Sequence, residues 1–147
     1  MFFSKTNNFY FNPYSEAVNT YSKHKPKIKK TRLCDVWFDI SNLVAGYLAQ
    51  KEVVLKQNSK AQVFVYQLPE AIITRIIKSC SKKDDLILDL FSHSATTSAM
   101  CIRLRRNYLA IEQDQYFIDE ANKRLERERI KKKTLQTRRL QHRKAAA

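Results

Sequence analysis

Glycine is nearly missing from this sequence: Gly46 is the only one in 147 residues. Such a chain cannot build a glycine-rich phosphate loop of the ordinary kind, where small residues let backbone approach ligand. Cysteine is also sparse. Cys34, Cys80 and Cys101 are odd in number and show no CxxC spacing, which argues against both a disulfide framework and a zinc site. Reduced thiols in an intracellular protein are the expectation. No apolar run approaches the ~20 residues a membrane helix needs. The opening "MFFSKTNNFYFNPY" lacks the apolar core of a secretory signal. The same stretch is poor in acids, as organellar transit peptides are, but it contains no arginine. Cytoplasm or nucleoid is the expected location, with an organelle as the other option. Acidic residues are few as well: 14 Asp and Glu against 28 Lys and Arg leave a formal charge of +14. That excess points to a polyanion, foremost nucleic acid, as a partner.

What is present divides into three zones. Residues 1–32 form a polar, aromatic arm ending in the basic run "KHKPKIKKTR", which has no apolar period and reads as an extended, solvated arm or linker. Residues 33–126 carry the periodic patterns. Residues 127–147 form a basic, helix-forming tail whose apolar residues are too sparse for a core-facing stripe. In the middle zone, "CDVWFDI" is rich in β-formers and predicts a strand. "PEAIITRIIKSC" places Pro69 at a helix start and Ile72, Ile73, Ile76 and Ile77 on one face. "SKKDD" makes a turn and "LILDL" a buried strand. "ATTSAMCIRLRR" is a helix with Ala95, Ala99 and Ile102 on one side. "NYLAIE" is a second strand, and "DQYFIDEANKRLERER" a long helix opening with Asp114 at its positive end. Strands and helices alternating at these short spacings imply parallel β-α units, half of a doubly wound α/β sheet.

These residues carry a resemblance. The stretch from "QLPEAIITRIIKSC" through "DLILDLFSHSATTSAM" to "NYLAIEQDQYFIDEANKRL" resembles the C-terminal portion of the DNA N6-adenine/N4-cytosine methyltransferases of permuted motif order. There a Thr-Gln-Lys-Pro-Glu stretch leads into a helix. A strand ending Asp-Pro-Phe-x-Gly-Ser-Gly-Thr-Thr follows, then a helix, then a strand ending Gly-Ile-Glu and a Tyr-containing helix. "CDVWFDI" is similar to the Asp-Val-Trp segment that precedes these motifs in one branch, so the likeness spans roughly residues 34–126.

The resemblance implies a partial Rossmann-like methyltransferase sheet and S-adenosylmethionine as cofactor. It implies cofactor contacts from Asp89, Phe91, Ser94 and Thr96 in the loop, with Thr97 beside them, where N–H groups at the helix start would face the cofactor's amino-acid end. Glu112 matches the acid that receives the ribose hydroxyls, and Gln67, Pro69 and Glu70 match the stretch bordering the methionine moiety. Departures are equally specific. Leu90 replaces a proline, His93 and Ala95 the two loop glycines, Leu68 a lysine and Ala110 a glycine. Val63 and Val65 stand in place of glycine and proline upstream. On the family's backbone path His93 would need a conformation costing a non-glycine residue ~1 kcal/mol or more. Its imidazole and the Ala95 methyl would crowd the ligand, which predicts weak cofactor binding. The catalytic Asp/Asn/Ser-Pro-Pro-Tyr/Phe turn, which orients the target amine and stacks on an extruded base, has no counterpart. Asn12, Pro13 and Tyr14 contain one proline and read as an ordinary turn, so no catalytic residue is assigned.

A sheet this small would have one bare face and a long edge, which predicts a protein partner that completes or covers it. Glycine loss and the basic ends favour a non-catalytic scaffold, a pseudoenzyme subunit in a ribonucleoprotein such as a ribosome. Lys25, Lys27, Lys29, Lys30, Lys131, Lys132, Lys133, Arg138 and Arg139 would hold DNA or RNA phosphates there. The other reading is the cofactor-binding half of a split S-adenosylmethionine-dependent DNA methyltransferase.

Overall fold

The computed structural model describes residues 4–13, 15–20, 27–32, 37, 40, 43 and 52–145. Strands β1 (Ser15–Thr20) and β2 (Lys27–Arg32) pair antiparallel, Ser15 opposite Arg32 and Thr20 opposite Lys27. The basic run expected to be a solvated arm therefore contains a hairpin strand, for which charge composition gave no signal. Of the expected strand "CDVWFDI", only Trp37 and Ile40 fall within the described residues.

The body begins with an isolated bridge between Leu55 and Gln62 and then helix α1 (Glu70–Cys80). Pro69 sits at the N-cap, where its fixed φ is pre-set and its missing N–H costs nothing. Strand β3 (Leu86–Asp89), helix α2 (Thr96–Leu104) and strand β4 (Asn107–Ala110) follow, and β3 pairs parallel with β4. The register sets Leu86 beside Asn107 and Asp89 beside Ala110. This is the expected β-α-β unit. Helix α3 (Gln115–Ala145) starts where Asp114 Oδ1 accepts the Tyr116 N–H at 2.8 Å. It then continues without a break through the boundary expected near residue 126.

One core joins the helices to one face of the sheet. Ile77 from α1, Ala99, Met100, Cys101 and Ile102 from α2, and Ala121 and Leu125 from α3 are buried together, with Ile73, Ile87 and Tyr108 packed against them. Ala95, Ala99 and Ile102 are all buried, as their spacing predicted. Ile76 is half exposed, and Arg75 takes the buried place beside Ile77, its guanidinium 5.4 Å from the Trp37 ring centroid. Burial pushes the Cys101 thiol up to about 11 and leaves it a small apolar group rather than a nucleophile. The opposite sheet face is bare: Leu86, Leu88, Leu90, Leu109 and Ile111 are 49–65% exposed. Strand alternation explains this, since Ile87 and Tyr108 point to the helices and their neighbours point away.

Beyond Glu128, α3 leaves the body. Its described large apolar side chains there, Ile130, Leu135 and Leu140, are each more than half exposed. No helix is long and apolar enough to cross a membrane among the described residues.

Candidate cofactor site

The loop from Asp89 to Thr96 leaves the carboxyl end of β3, where open α/β sheets bind ligands. Its course is fixed by backbone bonds. Asp89 Oδ1 accepts the Phe91 N–H at 3.2 Å, Ser92 N–H donates to the Ile111 carbonyl at 3.0 Å, and Ala95 N–H to the Ser92 carbonyl at 2.7 Å. His93 and Ala95 both adopt left-handed backbone, with φ of 38° and 53°. The two positions whose family counterparts are glycines thus keep a glycine-like path with side chains attached. Each conformation costs on the order of 1–2 kcal/mol relative to glycine.

Neither side chain stands free in the loop mouth. The Ala95 methyl is 1% exposed and belongs to the core with Ala99. The His93 imidazole packs edge-on between two rings, with its centroid 5.1 Å from Phe64 and 4.7 Å from Phe117. Phe64 is wholly buried and joins Val54, Val63 and Phe117 in a second small core. The feared crowding is therefore absorbed by packing: both added groups turn inward. Aromatic pairing of this kind contributes ~0.5–1.5 kcal/mol per contact, enough to offset much of the backbone strain.

Glu112 closes the site from the end of β4. Its Oε2 accepts the His93 N–H at 2.9 Å, and its Oε1 accepts the N–H groups of Gln113 at 2.9 Å and Asp114 at 3.1 Å. The Asp114 N–H foremost, then those of Gln113 and His93, hold this carboxyl below its ordinary range. An ionised carboxylate offers roughly four acceptor sites. Three are used by the His93, Gln113 and Asp114 N–H groups, which leaves one on Oε2 among the described residues.

Beneath the loop lies a buried ionic network. Arg124, 6% exposed, donates from Nη1 to the Ser94 carbonyl at 2.7 Å and to Thr96 Oγ1 at 3.0 Å, and from Nη2 to Glu70 Oε1 at 2.9 Å. Arg103 also pairs with Glu70, and its Nε donates to Glu128 Oε2 at 2.6 Å. Lys131 Nζ reaches Glu128 Oε1 at 2.9 Å. These two donors, Arg103 first, pull the Glu128 carboxyl down to about 2. Burial lowers the Arg124 pKa, and Glu70 opposes that shift. Sequence reasoning missed Arg124. The available signal was a cation at the fourth position of Ala121-Asn122-Lys123-Arg124-Leu125, on the face that Ala121 and Leu125 bury.

The sequence-derived site residues are placed as follows. Asp89, the loop and Glu112 converge. Ser94 and Thr96 are buried, their hydroxyls 3.0 Å apart and directed at each other, with the Thr96 hydroxyl also accepting from Arg124, so the loop offers a ligand backbone at these positions. No backbone carbonyl accepts the Thr96 or Thr97 N–H among the described residues. Phe91 is 88% exposed beside the loop. Gln67 spans to the upstream segment, Nε2 donating to the Glu52 carbonyl at 2.6 Å and Oε1 accepting the Val54 N–H at 3.2 Å. Glu52 in turn accepts the Glu70 N–H at the start of α1. Asn12 lies at the other end of the unit: its N–H donates to the Ser79 carbonyl near the end of α1.

Of the residues expected to hold phosphates, Lys27, Lys29 and Lys30 lie in β2 and Lys25 lies outside the described residues. Lys131, Lys132, Lys133, Arg138 and Arg139 lie on the projecting part of α3. No cluster of His, Cys, Asp and Glu fit to hold a metal ion occurs among the described residues.

The chain's residues fit S-adenosylmethionine. The loop keeps the backbone that a close ligand needs, the substituents at 93 and 95 are turned inward, and Glu112 retains an acceptor at the strand end. The chain is similar to known proteins over part of its length. The type II methyltransferase M.HinfI of Haemophilus influenzae is 46% identical over 59 residues, which cover 40% of this chain and 16% of that protein. M2.MboI of Moraxella bovis is 47% identical over 58 residues, covering 40% and 21%. The crystal structure of an M1.HpyAVI–SAM complex aligns at 32% identity with a TM-score of 0.42, covering 49% of this chain and 36% of that one. The chain thus spans about a fifth or less of these two curated relatives. None of these matches supports a ribonucleoprotein scaffold or an RNA partner. The N6/N4 DNA methylase family profile matches residues 1–123, and the chain belongs to that family.

Proposed function

We propose that this chain is the cofactor-binding half of a split S-adenosylmethionine-dependent DNA methyltransferase acting on adenine N6 or cytosine N4, with the catalytic and target-recognition half supplied by a separate polypeptide. The observation that carries the reading is the loop held in left-handed backbone at His93 and Ala95 and latched by the His93 N–H to Glu112. A glycine-like path kept where glycine is absent suits a loop still shaped for a close ligand. The bare sheet face of Leu86, Leu88, Leu109 and Ile111 suits a subunit that is covered on assembly.

When bound, the cofactor supplies an activated methyl group. Within this chain, Glu112 would accept a ribose hydroxyl on its remaining acceptor site, and its depressed pKa keeps it ionised for that purpose. The Thr96 and Thr97 N–H groups at the start of α2 would meet the carboxylate end. Arg124 holds the Ser94 carbonyl and Thr96 hydroxyl beneath them, fixing the loop before any ligand arrives. Phe91 is free to lie along the ligand or against the second polypeptide.

Calorimetric titration of S-adenosylmethionine into the full chain tests the proposal. Saturable heat is expected, lost with Glu112→Ala and weakened with Glu112→Gln, which keeps one carbonyl-type acceptor. Absence of heat from the wild type, with no recovery in His93→Gly/Ala95→Gly, would reject it.

A further inference from the structure

The strongest unassigned feature lies at the opposite end of the unit from the cofactor loop. A cavity of about 320 Å³ opens between the C-terminal end of α2 and the departing part of α3, lined by Arg103, Arg105, Glu128, Lys131, Lys132 and Gln136 among others. Four cations face it and one carboxylate. That carboxylate, Glu128, is already committed: it draws Arg103 Nε to 2.6 Å and Lys131 Nζ to 2.9 Å. It thereby fixes two cations at the cavity wall without neutralising the cavity. Arg105 and Lys132 have no acidic partner within salt-bridge distance among the described residues. Arg105 also occupies the C-cap of α2 in left-handed backbone, φ 60°, where glycine is the ordinary choice. Like charges gathered around a shared space repel unless an anion enters it.

We infer that this cavity is a phosphate-binding cleft for the backbone of duplex DNA. Continuity of charge argues for a polymer over a small free anion. Lys131, Leu135, Arg138 and His142 follow one another at intervals of four, three and four residues, one face of the helix leading out of the cleft, and no Asp or Glu follows Glu128 in α3 to offset its lysines and arginines. That face runs about 17 Å at 1.5 Å per residue, the rise of roughly five nucleotides on one strand at 3.4 Å each. Gln136 and Lys131 add donors of the kind that contact phosphates without reading sequence. Choosing DNA as the polymer rests on the methyltransferase reading; the cleft itself does not.

The test is fluorescence anisotropy of a labelled duplex with the full chain across a salt series. Each phosphate contact adds about 0.9 to the magnitude of the slope of log K against log salt. Arg105→Gln/Lys132→Gln should therefore lower the slope magnitude by about 2, and Lys132→Gln alone by about 1. Lys56→Gln/Lys60→Gln, in the turn between Leu55 and Gln62 and remote from the cleft, should leave it unchanged. S-adenosylmethionine calorimetry on the same variants should match the wild type, so failure of the cofactor reading and failure of the cleft appear in different assays. An unchanged slope in the cleft double variant, or an equal loss in the remote pair, overturns the cleft. Tighter binding of single-stranded RNA than of duplex DNA of the same length overturns the choice of polymer.

Discussion

Replacing Arg124 by methionine removes the charge while roughly preserving the side chain's length and its packing against Ala121 and Leu125. Three bonds disappear: those to the Ser94 carbonyl, the Thr96 hydroxyl and Glu70. Glu70 keeps Arg103 and is not left as an isolated buried charge. Ser94, at 5% exposure, has no such substitute, so its carbonyl loses its partner away from water. An unsatisfied buried polar group costs ~1–3 kcal/mol, and a lost charge-assisted bond ~1.5–3 kcal/mol. Partial replacement by a well-packed apolar side chain brings the sum down to about 2–4 kcal/mol. Urea unfolding followed by circular dichroism should show the midpoint falling accordingly with the m-value unchanged. Lys123→Met, which removes only a surface lysine's pair with Glu120, should leave the midpoint at the wild-type value. The loop hangs from the same guanidinium, so S-adenosylmethionine affinity should fall as well. Arg124→Met matching the wild type in both stability and affinity would show that the network does not hold the loop.

Acid should release the other half of this network. Glu128 has its carboxyl depressed to about 2, so its stabilisation is complete above the ordinary carboxylate range near 4.5 and is lost as pH falls toward 2. Glu128→Gln should flatten the stability profile over that interval, and an unaltered profile would contradict the pairing. Ser98 is fully buried with its hydroxyl unpartnered among the described residues, and the nearby Ser94 carbonyl is engaged by Arg124. Ser98→Ala should therefore stabilise by about 1 kcal/mol in thermal unfolding, a loss of similar size being the refuting result. His93→Gly relieves ~1–2 kcal/mol of backbone strain but forfeits two ring contacts of ~0.5–1.5 kcal/mol each, together with the burial of the imidazole. The expected outcome is net destabilisation of roughly 1 kcal/mol by differential scanning calorimetry, and a gain of that size would mean the ring contributes nothing.

The β-α-β unit was legible because its signals are local. Leu86 to Asp89 and Asn107 to Ala110 are short apolar segments bounded by charge, and Ala95, Ala99 and Ile102 repeat at helical spacing. The strain at His93 was legible too, since it follows from a side chain standing in a glycine's place. The direction of the imidazole was not. It depends on Phe64 and Phe117, distant in sequence and brought together only by tertiary packing. Arg124 was hidden for the same reason, because its partners Ser94 and Glu70 lie 30 and 54 residues away. The hairpin of β1 and β2 gave no apolar alternation to read, and its pairing is carried by backbone bonds that charge composition does not report. The tail beyond residue 126 was read as a separate helical zone because its apolar stripe stops. The backbone continues regardless, since its Lys, Arg, Glu, Gln and Leu are all strong helix formers.

Amide chemical-shift mapping of the isotopically labelled chain during addition of S-adenosylmethionine probes the account most directly. Perturbations should concentrate at residues 91–97 and 111–114, with the His93 amide, bound to the Glu112 carboxylate, among the largest. Saturating ligand that moves no signal in those segments, or moves only those around Arg105 and Lys132, would contradict it.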